Sequence, residues 1–370
     1  MYSQRKLLPW VQALQGQIGD VALYDAHVHV GLHDPAGLEA TADEAVAALR
    51  ELDSKALVFP LKEPSGYAEA NQTVAELAAE HPDMLRALAR LEAEDEPLGR
   101  ATAALDAGAV GVKLHPRGDA LELDDPRLDD VFALADERRM PIMIHAGVGS
   151  PEVGDHAILR ARQFPGARLI LAHCGVGACE RVLPHTDELP NLYFDTSWWN
   201  PADIIGLFRC VPVGRILYAS DIPFSSPAGA MVLTGRLAVQ AGLGEEALRS
   251  VFGGQLERLV AGDEPLTPPA PDLETEPLHP RLERLYVTLC SAVEPMLRGE
   301  PPGQGFELAR VACGRAPDGL EDLLRSIEQL LALSEEVEDP DPLRPLRTPG
   351  FDLVLTAAVL ARTPRAAVPA

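Results

Sequence analysis

Eight side chains that could bind a metal or move a proton fall at the ends of short apolar runs. Asp25, His27 and His29 close VALYDAHVH (21–29), and Lys113 and His115 close AVGVKLH (109–115). His145 ends PIMIH (141–145), His173 ends ARLILAH (167–173) and Asp221 ends RILYASD (215–221). Neutral imidazole and carboxylate are the ligands of Zn²⁺ and related divalent ions, at about 2.0–2.2 Å. A catalytic ion keeps one position open for water and lowers its pKa to about 7. A nearby carboxylate can then take the proton and pass it to a leaving group.

Such chemistry requires residues far apart in the chain to meet, so the elements that carry them must bring them to one place. Three further runs, KALVFP (55–60), MLRALARL (84–91) and NLYFDTS (191–197), bring the apolar runs to eight. Amphipathic segments lie between them: TADEAVAALRELD (41–53), YAEANQTVAELAAEH (67–81) and DPRLDDVFALADERR (125–139). In the second, Ala70, Val74, Leu77 and Ala78 fall at helical spacing, the mark of one buried face. Thr41 with Glu44 forms a capping box, and Asp125 before Pro126 is a second helix start. Strands alternating with helices pair in parallel, and eight such units point to a closed (β/α)8 TIM barrel. The rival open sheet would carry a glycine-rich phosphate turn. No GxGxxG or GxxxxGK[ST] occurs, and GVGS (147–150) is too short to count. In a parallel barrel all C-terminal strand ends share the rim where active sites form. Strand alternation puts His27 and His29 on one face.

Six motifs in order, DAHVHVG, GVKLHP, PIMIHAG, LILAHCG, FDTS and RILYASDIP, resemble the amidohydrolase superfamily. They look most like its amidohydrolase 2 branch of metal-dependent hydrolases and decarboxylases, and the resemblance covers residues 21–261. It implies that His27, His29 and His145 bind the metal. Asp221 matches the carboxylate that binds the metal or its water and acts as base. His173 matches a residue that binds a second metal or polarises the substrate. In some members a strand-4 lysine is carboxylated and bridges two metals; Lys113 stands at that place. The preferred alternative is an unmodified Lys113 that pairs with Asp221 or binds a substrate carboxylate. A lone Lys⁺ would repel a second ion, so one metal per chain is expected, with zinc the first choice. The chain departs from the family in FGGQLERL (252–259), where Gln255 replaces a common Asn; that bears on helix packing more than on chemistry.

The expected activity is hydrolysis of a C–N or C–O bond in a small molecule by a hydroxide held on the metal. Nonoxidative decarboxylation on the same ligands is the alternative within enzymes. A non-catalytic barrel with an interaction tail is the alternative outside them. His115 is either a substrate contact or a structural hydrogen-bonding group. Asp25 is a candidate acceptor that fixes a histidine tautomer. Of Trp198 and Trp199, one is expected to line the substrate pocket, with Trp198 taken as that contact, and the other to pack on a helix. Arg117 reads as a solvated arginine, and Cys174 as a small buried residue.

The formal charge of −24, from 32 Lys+Arg and 56 Asp+Glu, argues against phosphate-backbone binding and against docking on anionic lipid. No apolar run approaches the roughly 18 residues of a membrane span. Five cysteines with no CxxC pair fit a reducing cytoplasm rather than a disulfide framework. The start, MYSQRKLLPWVQALQGQIGD, lacks the apolar core of a secretion signal. The expected division is a barrel over 1–261, a proline-rich linker over 262–280 and a helical extension of unknown role over 281–370. In the extension Leu320, Leu323, Leu324, Ile327, Leu330 and Leu331 form a stripe that could pack on the barrel or on a second copy in a homo-oligomer. The last residues, TPRAAVPA, are expected to fray.

Overall fold

The structure, a computed structural model, describes residues 4–94, 96–149, 152–272, 277–314, 319–337 and 347–370. All eight apolar runs are strands: β1 (Leu23–Val30), β2 (Ser54–Pro60), β3 (Leu85–Leu91), β4 (Gly111–Leu114), β5 (Pro141–Ile144), β6 (Arg168–Leu171), β7 (Leu192–Asp195) and β8 (Ile216–Leu217). They pair in parallel in sequence order. Three backbone bonds join β1 to the chain around β8: Ala26 N–H to the Tyr218 carbonyl (2.9 Å), Asp221 N–H to His27 (2.8 Å) and His29 N–H to Ile222 (2.8 Å). The sheet thus closes into a TIM barrel. The strands are buried on both faces almost throughout, because helices cover the outside and side chains fill the inside. Leu57, Phe59, Leu88, Met143, Ile170, Tyr193 and Leu217 belong to one interior cluster.

The connecting helices begin where local chemistry permits. Helix Ala42–Arg50 starts at the expected capping box: Glu44 N–H donates to Thr41 Oγ1 at 3.2 Å, and Thr41 N–H donates to Glu44 Oε2 at 3.3 Å. Helix Ala68–Glu80 buries Val74 and Leu77 of its expected face, whereas Ala70 and Ala78 are only half-buried. A helix that the sequence patterns above did not single out precedes the barrel. Helix α1 (Gln4–Ile18) buries Leu7, Trp10, Val11, Leu14 and Ile18 against helix α2 (Pro227–Gln240). Its i, i+3, i+4, i+7 spacing is a plain helical signal.

Residues 273–276 of the expected linker lie outside the described residues, as does Ser150 of GVGS. Residues 262–272 have no regular structure but are held to the barrel. Buried Gln255 donates to the Gly214 carbonyl and accepts from Leu266 N–H, so it serves packing, as expected. Beyond the linker come α3 (Pro280–Leu297), α4 (Gly303–Cys313), α5 (Glu321–Glu335) and α6 (Phe351–Arg362). The leucine stripe of α5 packs on α6 within the chain. Helix α6 is buried nearly all round and packs on α3, α5 and α2. A helix apolar on every side is stable only with partners on every side.

Residues 363–367 of the segment expected to fray are held to the barrel. Arg236, fully buried in α2, donates to Thr363 Oγ1 (3.0 Å) and to the carbonyls of Thr363 (3.0 Å), Ala366 (3.1 Å) and Ala367. Gln17 of α1 clasps the same segment through Arg365 and Ala367. A buried guanidinium needs several acceptors, and these carbonyls supply them. Among the described residues no helix is long and apolar enough to cross a membrane.

Candidate metal centre

The β1–β2 register shifts between Asp25 and Val28, and this irregularity sets how His27 and His29 enter the barrel mouth. Their Nε2 atoms lie 3.1 Å apart, and Asp221 Oδ1 lies 3.3 Å from one and 3.4 Å from the other. His27 is inaccessible to solvent and His29 is 5% exposed. Asp221 reaches them from a left-handed backbone, with φ +60°, four residues after the end of β8.

The far side of each ring decides what its Nε2 can do. His27 Nδ1 is 2.8 Å from Asp195 Oδ2, and His29 Nδ1 is 3.3 Å from the Pro60 carbonyl. Both partners are acceptors, so both Nδ1 atoms donate, and each Nε2 turns a lone pair toward Asp221. Asp221 Oδ1 is buried and, among the described residues, has no hydrogen-bond partner. Two lone pairs and a carboxylate oxygen facing one another repel unless a cation lies among them. A tetrahedral centre with bonds of 2.0–2.1 Å would space its ligands by roughly 3.3–3.4 Å. The donor set therefore fits a divalent ion.

Asp195, at the end of β7, ties the centre together. Its Oδ1 accepts from His173 N–H (2.8 Å), Ser197 N–H (3.0 Å) and Ser197 Oγ–H (2.5 Å), while Oδ2 holds His27. Asp195 lies in FDTS, a motif with no role expected for its aspartate. A carboxylate at the only motif end without a role was the available signal. Asp25 was expected to orient an imidazole and does not. It accepts the backbone N–H groups of His27 (3.0 Å) and Ser220 (2.9 Å), joining β1 to the chain after β8. Burial raises its carboxyl to about 7.

The four residues expected as ligands do not form one cluster. His27, His29 and Asp221 come together, whereas His145 Nδ1 lies 3.1 Å from His173 Nε2. His145 stacks on His115, ring centroids 3.9 Å apart, and this holds it on the His173 side of the mouth. His173 is left-handed, with φ +58°; its Nδ1 donates to the Ser197 carbonyl at 2.9 Å and is 3.7 Å from Asp221 Oδ2. Burial lowers the pKa of His27, His29, His115, His145 and His173, which favours the neutral form that ligation requires. Burial, with Asp195 adding, raises the Asp221 carboxyl; Lys113 and Arg347 oppose it.

Lys113 lies inside the barrel beneath the cavity and is not part of the cavity wall. Among the described residues its Nζ has no hydrogen-bond partner, and it sits 4.8 Å from the Phe59 ring centroid. The expected pairing with Asp221 is not formed among the described residues, and burial lowers the amine to about 7. His115 Nδ1 accepts Gly118 N–H at 2.8 Å, a structural role, and the ring also lines the cavity.

The cavity above the centre has a volume of about 420 Å³, within the range of small-molecule pockets. Trp198 and Trp199 both line it, contrary to the expected division between pocket and helix. Trp198 Nε1 donates to Asp203 Oδ2 at 2.6 Å, which fixes its indole at the mouth. Arg347, Phe351, Leu355 and Val359 of the extension also line the cavity. No motif marked them, because apolar residues of a helix read as core wherever they point.

A family model described as Amidohydrolase matches residues 24–256. No curated protein matches the chain. Solved structures with a similar fold include an uncharacterised TIM-barrel protein from Bordetella bronchiseptica, 17% identical with a TM-score of 0.54, over 65% of this chain and 99% of that one. A 4-oxalomesaconate hydratase from Rhodopseudomonas palustris is 18% identical with a TM-score of 0.50, over 65% and 96%. A 2,6-dihydroxybenzoate decarboxylase from Rhizobium is 16% identical with a TM-score of 0.50, over 65% and 99%. At these identities the likeness is one of fold. The family match covers β1 from its second residue, all of β2–β8 and every strand end that carries the centre, and the chain belongs to the amidohydrolase family, in its amidohydrolase 2 branch.

Proposed function

We propose that this protein hydrolyses a C–N or C–O bond in a small molecule at one divalent ion per chain, zinc by preference. The observation that carries the reading is the meeting of His27 Nε2, His29 Nε2 and the unpartnered Asp221 Oδ1 at the cavity floor. His27, His29 and Asp221 would hold a divalent ion there, which would supply Lewis-acid chemistry for activating water and polarising the scissile carbonyl. Asp221 Oδ2 is the acceptor for the water's proton. His173, held by the Ser197 carbonyl, and His145 stand beside it, placed to orient the substrate carbonyl. Asp195 keeps His27 in the tautomer that ligation needs. His115 and the two tryptophans shape the substrate wall.

A second reading, nonoxidative decarboxylation of an aromatic acid, is favoured by the aromatic lining of Trp198, Trp199, Phe224 and Phe351. The 2,6-dihydroxybenzoate decarboxylase with a similar fold has that activity by name. Five free thiols support a reducing, cytoplasmic setting. The test is metal analysis combined with a panel of lactones, amides and aromatic carboxylates. Turnover of a lactone or amide with one equivalent of metal is the expected result. Carbon dioxide release from an aromatic acid without hydrolysis would select the second reading. Failure to retain zinc or manganese after reconstitution would overturn both.

A further inference from the structure

Part of the cavity wall comes from outside the family match, which ends at residue 256. Helix α6 contributes Phe351, Leu355 and Val359, and the residues just before it contribute Arg347. Arg347 is half-buried, and two contacts hold its guanidinium in place. One N–H donates to the carbonyl of Phe224, three residues after Asp221, and the guanidinium carbon lies 4.9 Å from the Phe351 ring centroid. Its charge bears on Asp221, at the cavity floor.

The other cations on this wall are differently placed. Lys62 donates to the Gly118 carbonyl at 2.6 Å. Arg90 is bound twice to Asp119, at 2.9 Å each. Arg117 is exposed, where solvent screens it, and donates to the Val148 carbonyl. Arg347 is half-buried and, among the described residues, has no carboxylate partner. A planar guanidinium held in that way leaves N–H groups suited to a carboxylate.

We propose that Arg347 is a specificity-determining residue that receives a carboxylate on a small substrate whose apolar body lies against Trp198, Phe351 and Leu355. That the substrate's reacting bond then faces His27, His29 and Asp221 rests on the function proposed above; the anion site itself does not.

The test is titration of the full-length protein with benzoate and with benzamide, its neutral counterpart, followed by tryptophan fluorescence. It is run on protein as purified and again after chelation, with metal content measured separately. Wild type should bind benzoate about ten- to a hundredfold more tightly than benzamide in both states, as a charge-assisted hydrogen bond implies. Arg347→Gln should lose that preference while keeping its benzamide affinity, which also reports an intact cavity. Arg347→Lys should keep part of it, and Arg117→Gln all of it. Equal binding of the two ligands by wild type overturns the proposal. So does a preference that survives Arg347→Gln, disappears with Arg117→Gln, or exists only with metal present. A fault in the metal reading would appear in the metal analysis alone.

Discussion

The barrel mouth and the C-terminal extension meet in one cavity but are built on opposite terms. At the mouth and just below it, buried polar groups are held in arrangements that cost stability: among the described residues Asp221 Oδ1 and Lys113 Nζ have no hydrogen-bond partner, and His173 and Asp221 adopt left-handed backbone. The extension has the reverse character. Leu353, Val354, Ala357 and Leu360 of α6 and Ile327 and Leu330 of α5 are all inaccessible to solvent. Chemistry is concentrated where the fold sacrifices stability, and shape is supplied where it gains stability.

Removing a ligand should break that contrast most severely. His27→Ala or Asp221→Asn should lose bound metal and activity to the detection limit while the far-UV circular dichroism stays native. The extension should respond in the other sense. Ile327→Ala should cost about 2–5 kcal/mol in denaturant unfolding, as a buried large-to-small change does, and leave metal stoichiometry unchanged.

Lys113 tests whether the mouth is destabilising in its own right. Its amine titrates near 7 in the folded chain against an ordinary 10.5. Between those values the unfolded chain binds a proton that the folded chain has shed, so stability falls as pH drops from about 10.5 to about 7. In chelated protein, Lys113→Met should remove that slope and stabilise the fold at neutral pH by a few kcal/mol, on the order expected for such a shift. Thermal unfolding across that pH range measures it; no gain at pH 7 would contradict the account of the mouth. The smallest effect concerns Asp195. Asp195→Asn should weaken metal affinity roughly 10–100-fold without removing a ligand. A competition titration against a chelator reads this loss, and an unchanged affinity would mean that the Nδ1 partner of His27 does not tune the centre.

Local pattern determined a great deal here. Alternating β-branched runs and amphipathic segments specify eight strand–helix units, and parallel pairing then leaves a closed barrel as the consistent arrangement. The same runs put His27, His29, His145, His173 and Asp221 at strand ends, so the rim and its ligand types were legible. The Thr41–Glu44 box was too, because it lies within one helical turn. What only the tertiary structure decided depends on angles and distances between elements. His145 turns toward His173 because His115 stacks beneath it, and Asp195 is useful because β7 brings it to His27. Both tryptophans reach the cavity, and Lys113 stays below it. Arg347 and α6 enter the wall because α6 is clasped among α2, α3 and α5, and Arg236 binds the chain end that follows it. Periodicity records which face of an element is buried; it carries no record of which partner, or which cavity, that face will meet.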